Sequence, residues 1–363
     1  MRKVIMFYVL RITFHVSHAL VIKRTMKKVI ITTPSRLHFA LIDLNGSLGR
    51  VDGGVGLALT YPCFQIIATS SMDVQIVGST PSPALPACGE GRGGGFLSRA
   101  EGIINLLKSK YNFNGIRIEI AQSIPAHTGL GSGTQLSLGI AAAVGALNDI
   151  NFNIEETALL VGRGGTSGIG VAAFCHGGFI IDGGHRFPAQ KSSFLPSSAS
   201  GNVAPPPVLF RQDFPDWPVL IVIPNCRHIS GAEEVRLFTT LCPMLQTDAQ
   251  QLSHLILMKL LPALVENDLI RFGEAINQIQ EIGWKKIEVD AQGTIIQQTM
   301  AFLRNNGAIG VGLSSWGPTL YALGEDVKSL QEKTKQFLAR LPEGGTCFIT
   351  KANNIGAQVK RDA

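Results

Sequence analysis

One stretch constrains this chain more than any other: Pro-Ala-His-Thr-Gly-Leu-Gly-Ser-Gly-Thr-Gln, residues 125–135. Its glycines alternate at Gly129, Gly131 and Gly133. Residues 115–121 before it alternate apolar and polar side chains, which predicts a strand. Residues 132–147 after it are apolar almost all round, which predicts a buried helix. Glycine lets backbone N–H groups approach a ligand with no Cβ in the way. The first helical turn adds unpartnered N–H groups and the positive end of the dipole. Strand, glycine loop and helix in that order make an anion site, most naturally one for phosphate. The plain alternative is a turn that only reverses the chain. Candidate phosphate or diphosphate contacts are His127, Thr128, Gly129, Leu130, Gly131, Ser132, Gly133, Thr134 and Gln135.

Two common phosphate loops are excluded. The P-loop ends in Gly-Lys-Ser/Thr, and no lysine lies between Lys110 and Lys191. The dinucleotide fingerprint needs a third Gly or Ala where Thr134 stands. Its strand also runs straight into the first glycine, whereas here residues 122–128 intervene.

The chain has 363 residues, long enough for two domains with ample core. Its net charge of +6 does not argue for nucleic acid. Seven basic residues lie in residues 1–28, which hold no acid, so the rest of the chain is close to neutral. The six cysteines are scattered with no Cys-x-x-Cys pair, which fits reduced thiols in the cytoplasm. No apolar run reaches the ~20 residues a membrane span needs, so neither a membrane nor nucleic acid is expected as a partner. Residues 1–26 read as an extension or a mis-assigned start ahead of Met26.

The organisation expected is α+β. A phosphate-binding domain covers 27–187, a Pro/Ser-rich linker 188–218 and a second domain 219–352. In the first domain a strand at 29–33 ends at Pro34, and a glycine-rich turn region covers 45–56. A hairpin joins 65–68 to 74–77, a loop covers 80–95, a helix 98–110 and a strand 179–181. In the second, strands are expected at 219–223, 309–313, 319–323 and 347–350. Helices are expected at 233–241, 250–265, 269–282, 294–305 and 326–340.

A second glycine cluster, residues 162–184, crowds Arg163, Ser167, His176 and Asp182 around two turns. Ionisable residues gathered on glycine loops point to function. His185 reads as a surface residue, and Asp182 either acts in the site or caps the Gly183–Gly184 turn. A third cluster, residues 310–319, closes a site from the second domain or is only a tight hairpin. Its Trp316 offers a stacking face for an aromatic ligand or belongs to the core.

The spacing Pro-x-x-x-Gly-Leu-Gly-Ser-Gly resembles the second motif of the GHMP superfamily of galactokinase, homoserine kinase, mevalonate kinase and phosphomevalonate kinase. That resemblance implies a ribosomal-protein-S5-like N-terminal domain and a ferredoxin-like C-terminal domain. In these kinases the segment matching 167–170 runs Ser-Gly-x-Asp, its Asp being the candidate base. Here Gly170 stands in that place, and glycine accepts no proton.

The strings at 33–39, 43–56, 162–170, 177–184, 206–211 and 222–224 resemble one branch, the β-ribofuranosylaminobenzene 5′-phosphate synthases. The likeness covers about residues 27–350. Thr166 departs from it, where a basic residue is expected. The resemblance implies transfer of 5-phosphoribosyl from phosphoribosyl diphosphate to 4-hydroxybenzoate or 4-aminobenzoate, with loss of CO2, in tetrahydromethanopterin biosynthesis. Use of phosphoribosyl diphosphate rests on it alone.

For that reaction Arg36 and Arg163 suit the 5′-phosphate and the benzoate carboxylate. Asp43 or Asp182 suits either Mg2+, with Ser132, or the developing cation at the ribose. His38, His127 or His176 suits proton movement, and Ser167, Gly168 and Trp316 line the substrate. A homodimer is the default assembly. The competing readings are an ATP-dependent small-molecule kinase and a sensor without turnover.

Overall fold

The computed structural model describes residues 27–78, 94–113, 115–196, 199–227, 229 and 231–362. The extension at 1–26 and most of the loop expected at 80–95 lie outside the described residues. The chain runs β1 (Lys28–Asp43), β2 (Arg50–Ser70), β3 (Gln75–Gly78), α1 (Gly94–Lys110), β4 (Ile116–Gln122), α2 (Ser132–Asn148), α3 (Ile154–Leu160), α4 (Ile169–His176), β5 (Phe179–Asp182), β6 (His185–Arg186) and β7 (Val208–Gln212). It continues β8 (Val219–Pro224), α5 (Ala232–Leu241), α6 (Gln246–Leu255), a π-helical turn (Ile256–Leu260), α7 (Leu261–Val265), α8 (Leu269–Ile279), α9 (Gly283–Ala291) and α10 (Thr294–Asn305). Then come β9 (Gly310–Leu313), β10 (Leu320–Leu323), α11 (Val327–Leu338), β11 (Gly345–Thr350) and β12 (Gln358–Asp362).

The first sheet has β1 and β2 at its centre, in the order β12-β1-β2-β4-β3, and β2 also pairs β5 and β6. The second is an antiparallel sheet ordered β11-β8-β10-β9. α2 covers the first sheet closely because Gly139 has no side chain. A Cβ there would stand 2.8 Å from Ile66 and 3.0 Å from Thr33. The second sheet packs Val222, Val311, Leu313 and Leu320 against Ile296, Met300 and Leu303 of α10. The halves meet where Tyr321 stacks on Phe39, ring centroids 4.8 Å apart.

Several expectations change. β1 does not stop at Pro34 but continues to Asp43. The β1–β2 register shifts between Thr33 and Ser35, so a bulge absorbs the missing N–H donor. Residues 50–56, expected as turn, are strand. Segments 65–68 and 74–77 form no hairpin, because 65–68 belongs to long β2 and β3 pairs in parallel with β4. The glycine-rich stretch after Ser167 contains α4, and the helix expected to reach 282 ends at Ile279, with α9 starting at Gly283. Within 188–218, β7 pairs with β5, so part of the proline-rich stretch is sheet. β12 returns to pair with β1, so the C-terminal strand joins the first sheet.

Candidate active site

The loop between β4 and α2 has the nest geometry its glycines suggested. His127, Gly129 and Gly131 all take positive φ, at 55°, 81° and 80°. The N–H groups of Thr134 and Gln135 turn back to the Gly131 carbonyl, at 3.2 Å each. The earlier donors of the turn are those a helix start leaves without intrahelical acceptors. Thr128 is buried and its hydroxyl donates to the Pro125 carbonyl at 3.0 Å, so it shapes the loop. Leu130 anchors the loop in the core, and His127 lies exposed on its rim.

Two guanidinium groups converge on this helix start. A Cβ on Gly133 would stand 2.9 Å from Arg99 Nη1 and 3.1 Å from Arg163 Nη2. Among the described residues neither forms an ion pair. Burial and the Arg99 charge push Arg163 down to about 10, and its Nε is buried without a hydrogen-bond partner. Two like charges held together over a helix N-terminus favour an anion between them. Arg99 sits on α1, 34 residues before Gly133, and its role carried no local sequence signal.

Arg36 lies beneath the loop. Its backbone N–H donates to the Leu130 carbonyl at 3.0 Å and its Nη1 donates to the Gly129 carbonyl. Burial pushes it down to about 10, while the Glu288 charge opposes that fall. Ser314 of the third glycine cluster donates to the same Gly129 carbonyl at 2.8 Å, and its Oγ accepts the His38 N–H at 3.0 Å. The hairpin between β9 and β10 therefore closes this site from the second half.

Two residues on from Arg36 along β1, His38 faces the second glycine cluster. Its Nε2 lies 3.1 Å from Ser167 Oγ, and its Nδ1 is buried without a partner. Burial pushes this imidazole well below 6.5, reinforced by Arg36 and Lys285. Ser167 Oγ lies 3.5 Å from Asp182 Oδ2, a weak contact. Asp182 itself accepts the N–H groups of Gly168 at 2.9 Å and Gly184 at 3.0 Å. Burial raises it to about 6 against those bonds. Asp182 thus does cap its turn, and it also fixes the start of α4. Gly170 sits in that helix, its Cβ position 3.2 Å from Thr134, and its carbonyl accepts Gln135 Nε2 at 2.7 Å.

Other expected residues lie elsewhere. Asp43 accepts the N–H groups of Asn45 at 2.7 Å and Gly46 at 3.0 Å, so it caps the β1–β2 turn. His176 is exposed at the C-terminal end of α4, the opposite end from Ser167. Trp316 is buried and stacks edge-on with Trp284, 5.6 Å between centroids, so it is core. His185 is fully buried, contrary to its surface reading. It bonds Asp52 at 2.7 Å, and Lys191 Nζ donates to both Asp52 oxygens and to Thr166 Oγ1 at 3.0 Å. These groups pin the segment after β6 over the Ser167 turn.

Of the expected Mg2+ ligands, both carboxylates are engaged by backbone N–H groups, Asp43 at its turn and Asp182 at the start of α4. Asp182 accepts a backbone N–H on each oxygen, and burial raises it to about 6. No group of three His, Cys, Asp or Glu side chains suited to a metal occurs among the described residues. Two buried groups of the second half carried no sequence signal, Lys285 and Glu288 on α9, and half-buried Glu234 on α5 lies beside Glu288. Burial, then Glu288, lifts Glu234 to about 7, while a bond from Trp316 opposes this.

Residues 98–178 match the GHMP kinases N terminal domain, and residues 260–340 the GHMP kinases C terminal domain. The chain is 42% identical over 333 residues to the beta-ribofuranosylphenol 5'-phosphate synthase of Methanocaldococcus jannaschii, covering 91% of this chain and 100% of that one. It is 42% identical over 330 residues to the protein of that name from Archaeoglobus fulgidus, covering 90% and 98%. Among solved structures, it resembles mevalonate kinase from L. major in complex with R-mevalonate at TM-score 0.62 and 16% identity, covering 90% of this chain and 96% of that one. A putative homoserine kinase from Listeria monocytogenes gives TM-score 0.57 at 17% identity, covering 92% and 100%. These structural likenesses establish the two-domain GHMP fold. No helix among the described residues is long and apolar enough to cross a membrane.

Proposed function

The chain belongs to the beta-ribofuranosylphenol 5'-phosphate synthase family, and on that premise we propose that it transfers 5-phosphoribosyl from phosphoribosyl diphosphate to 4-hydroxybenzoate. The relatives are named for a ribosylated phenol, which is what a hydroxybenzoate yields once its carboxylate is lost. The bond from C1 of ribose to diphosphate breaks, its electron pair leaving on diphosphate. The ring carbon bearing the carboxylate bonds to C1. The bond to CO2 then breaks and its electron pair restores the aromatic ring. No proton is gained or lost overall.

The observation that carries this reading is Gly170. The α4 position corresponding to the kinases' base holds no carboxylate, while the glycine loop beside it keeps its left-handed residues and its two arginines. Departing diphosphate needs donors set in advance where its charge develops. The Gly129–Gly133 loop, Arg99 and Arg163 provide them. His38, neutral by burial, and Ser167 are placed to orient the acceptor. Magnesium enters only as a counter-ion that diphosphate brings, with no protein carboxylate assigned to it. A place in tetrahydromethanopterin biosynthesis, a cytoplasmic location and a homodimer belong to the same proposal.

The test is incubation of the full chain with phosphoribosyl diphosphate and carboxyl-labelled 4-hydroxybenzoate. Labelled CO2 released in step with diphosphate is the expected result. ADP formed from ATP and a polyol, without CO2, would establish the kinase instead. Neither product would leave a binding protein and overturn the proposal.

A further inference from the structure

A chain of buried charges runs from the second half of the molecule to the underside of the glycine loop. Lys285 on α9 is 1% exposed, and its Nζ donates to the Leu313 carbonyl at 3.1 Å. It forms an ion pair with Glu288, one turn along the same helix and 3% exposed. Leu313 is followed by Ser314, whose hydroxyl shares the Gly129 carbonyl with half-buried Arg36, and the Glu288 charge also favours the Arg36 guanidinium. Arg36 in turn touches three consecutive loop residues. It donates to the Gly129 carbonyl, bonds Leu130 through its backbone and packs against Gly131, whose Cβ position is 2.9 Å from Arg36 Cγ.

This arrangement is costly unless it acts. A buried ion pair adds little net stability over apolar residues of the same shape. Here α9 spends two charges behind a loop whose left-handed peptides must hold their N–H groups toward a ligand. Removing Glu288 would leave Lys285 and Arg36 as neighbouring like charges with no buried counter-charge between them. The guanidinium would then be free to leave the Gly129 carbonyl, and with it the loop would lose its fixed floor.

We infer that Lys285 and Glu288 are positioning residues for the diphosphate site: they fix Arg36 under Gly129–Gly131 and so make the phosphate loop dependent on the second domain. The inference rests on the reading of that loop as a diphosphate cradle, and it does not depend on which acceptor is ribosylated.

The experiment uses the full chain and inorganic diphosphate as the probe, with binding read by calorimetry. Glu288→Gln should weaken diphosphate at least about tenfold, within the coupling range of groups in one network. Glu288→Asp should recover part of that loss. In steady state the loss should appear in KM for phosphoribosyl diphosphate and not in KM for 4-hydroxybenzoate. In the background of Arg36→Gln, Glu288→Gln should add little further loss, because both act through one contact.

Unchanged diphosphate affinity in Glu288→Gln would overturn the inference, as would full additivity with Arg36→Gln. If Glu288→Gln does not fold, Lys285→Met/Glu288→Met replaces the pair with apolar side chains, and the same tenfold loss is expected from it. Wild-type affinity in that double variant would equally overturn the inference. Diphosphate binding that responds to Glu288 in a protein releasing no CO2 would remove the proposed reaction and leave this inference standing.

Discussion

His38 Nε2 lies 3.1 Å from Ser167 Oγ, though 129 positions separate them. The pair joins β1 to the start of α4, and both belong to the face that the glycine loop and the β9–β10 hairpin enclose. Burial keeps the imidazole neutral at physiological pH. It is therefore a hydrogen-bonding group there and not a fixed charge.

This neutrality has a pH signature. Unfolded, His38 titrates near 6.5, but in the fold it titrates well below. As pH falls below about 6.5 the unfolded chain takes up the proton first, so stability falls with pH in that window. Asp182 acts in the opposite sense. Its folded value of about 6 lies above 3.8, so its contribution is complete below 3.8 and is lost as pH rises through about 6. His38→Gln should flatten the decline between pH 6.5 and 5 in urea unfolding. An unaltered pH profile in that variant would show that His38 is not the group responsible.

Gly133→Ala separates binding from folding. The added Cβ meets only the mobile ends of Arg99 and Arg163, and Ala favours a helix over Gly by about 1 kcal/mol. Thermal stability should hold or rise. Diphosphate affinity should fall about tenfold or more, because the methyl occupies the space between the two guanidinium groups. Arg163→Ala should cost about 1.5–3 kcal/mol of diphosphate binding, the worth of a charged hydrogen bond. Wild-type affinity in both variants would place the anion elsewhere.

Gly170→Asp would put a carboxylate against Thr134 in the cradle. Like charge should then repel diphosphate, and CO2 release should fall about a hundredfold or more, from a repulsion of some 3 kcal/mol. Full activity in this variant would mean that residue 170 does not face the leaving group.

The buried group Asp52, His185 and Lys191 predicts a different outcome. Asp52→Ala leaves the Lys191 ammonium buried without its counter-charge and should cost about 3–5 kcal/mol in denaturant unfolding. Asp52→Leu/Lys191→Met should recover much of that loss. A loss below about 1 kcal/mol in Asp52→Ala would mean that water reaches Lys191.

The glycine loop, the apolar helix behind it and the missing carboxylate at 170 were legible in sequence. Each is a local pattern: alternating glycines, an all-apolar helix face and one residue in a four-residue string. Arg36 and Arg163 also lie against the glycine loop, and His38 meets Ser167. Asp43 and His176 did not join them, because a polar residue beside glycines serves equally well as a turn cap or a surface group. Local chemistry does not distinguish these uses.

The loop geometry and the family were readable from residue order alone, since the backbone there follows from glycine placement over a dozen residues. Which charges surround that loop is set by packing. Arg99, Lys285, Glu288 and the His185–Asp52–Lys191 group come from separate elements. Their significance arises from burial, which makes a lone charge costly and a shared one directional. Burial belongs to the packed chain and to no segment of it.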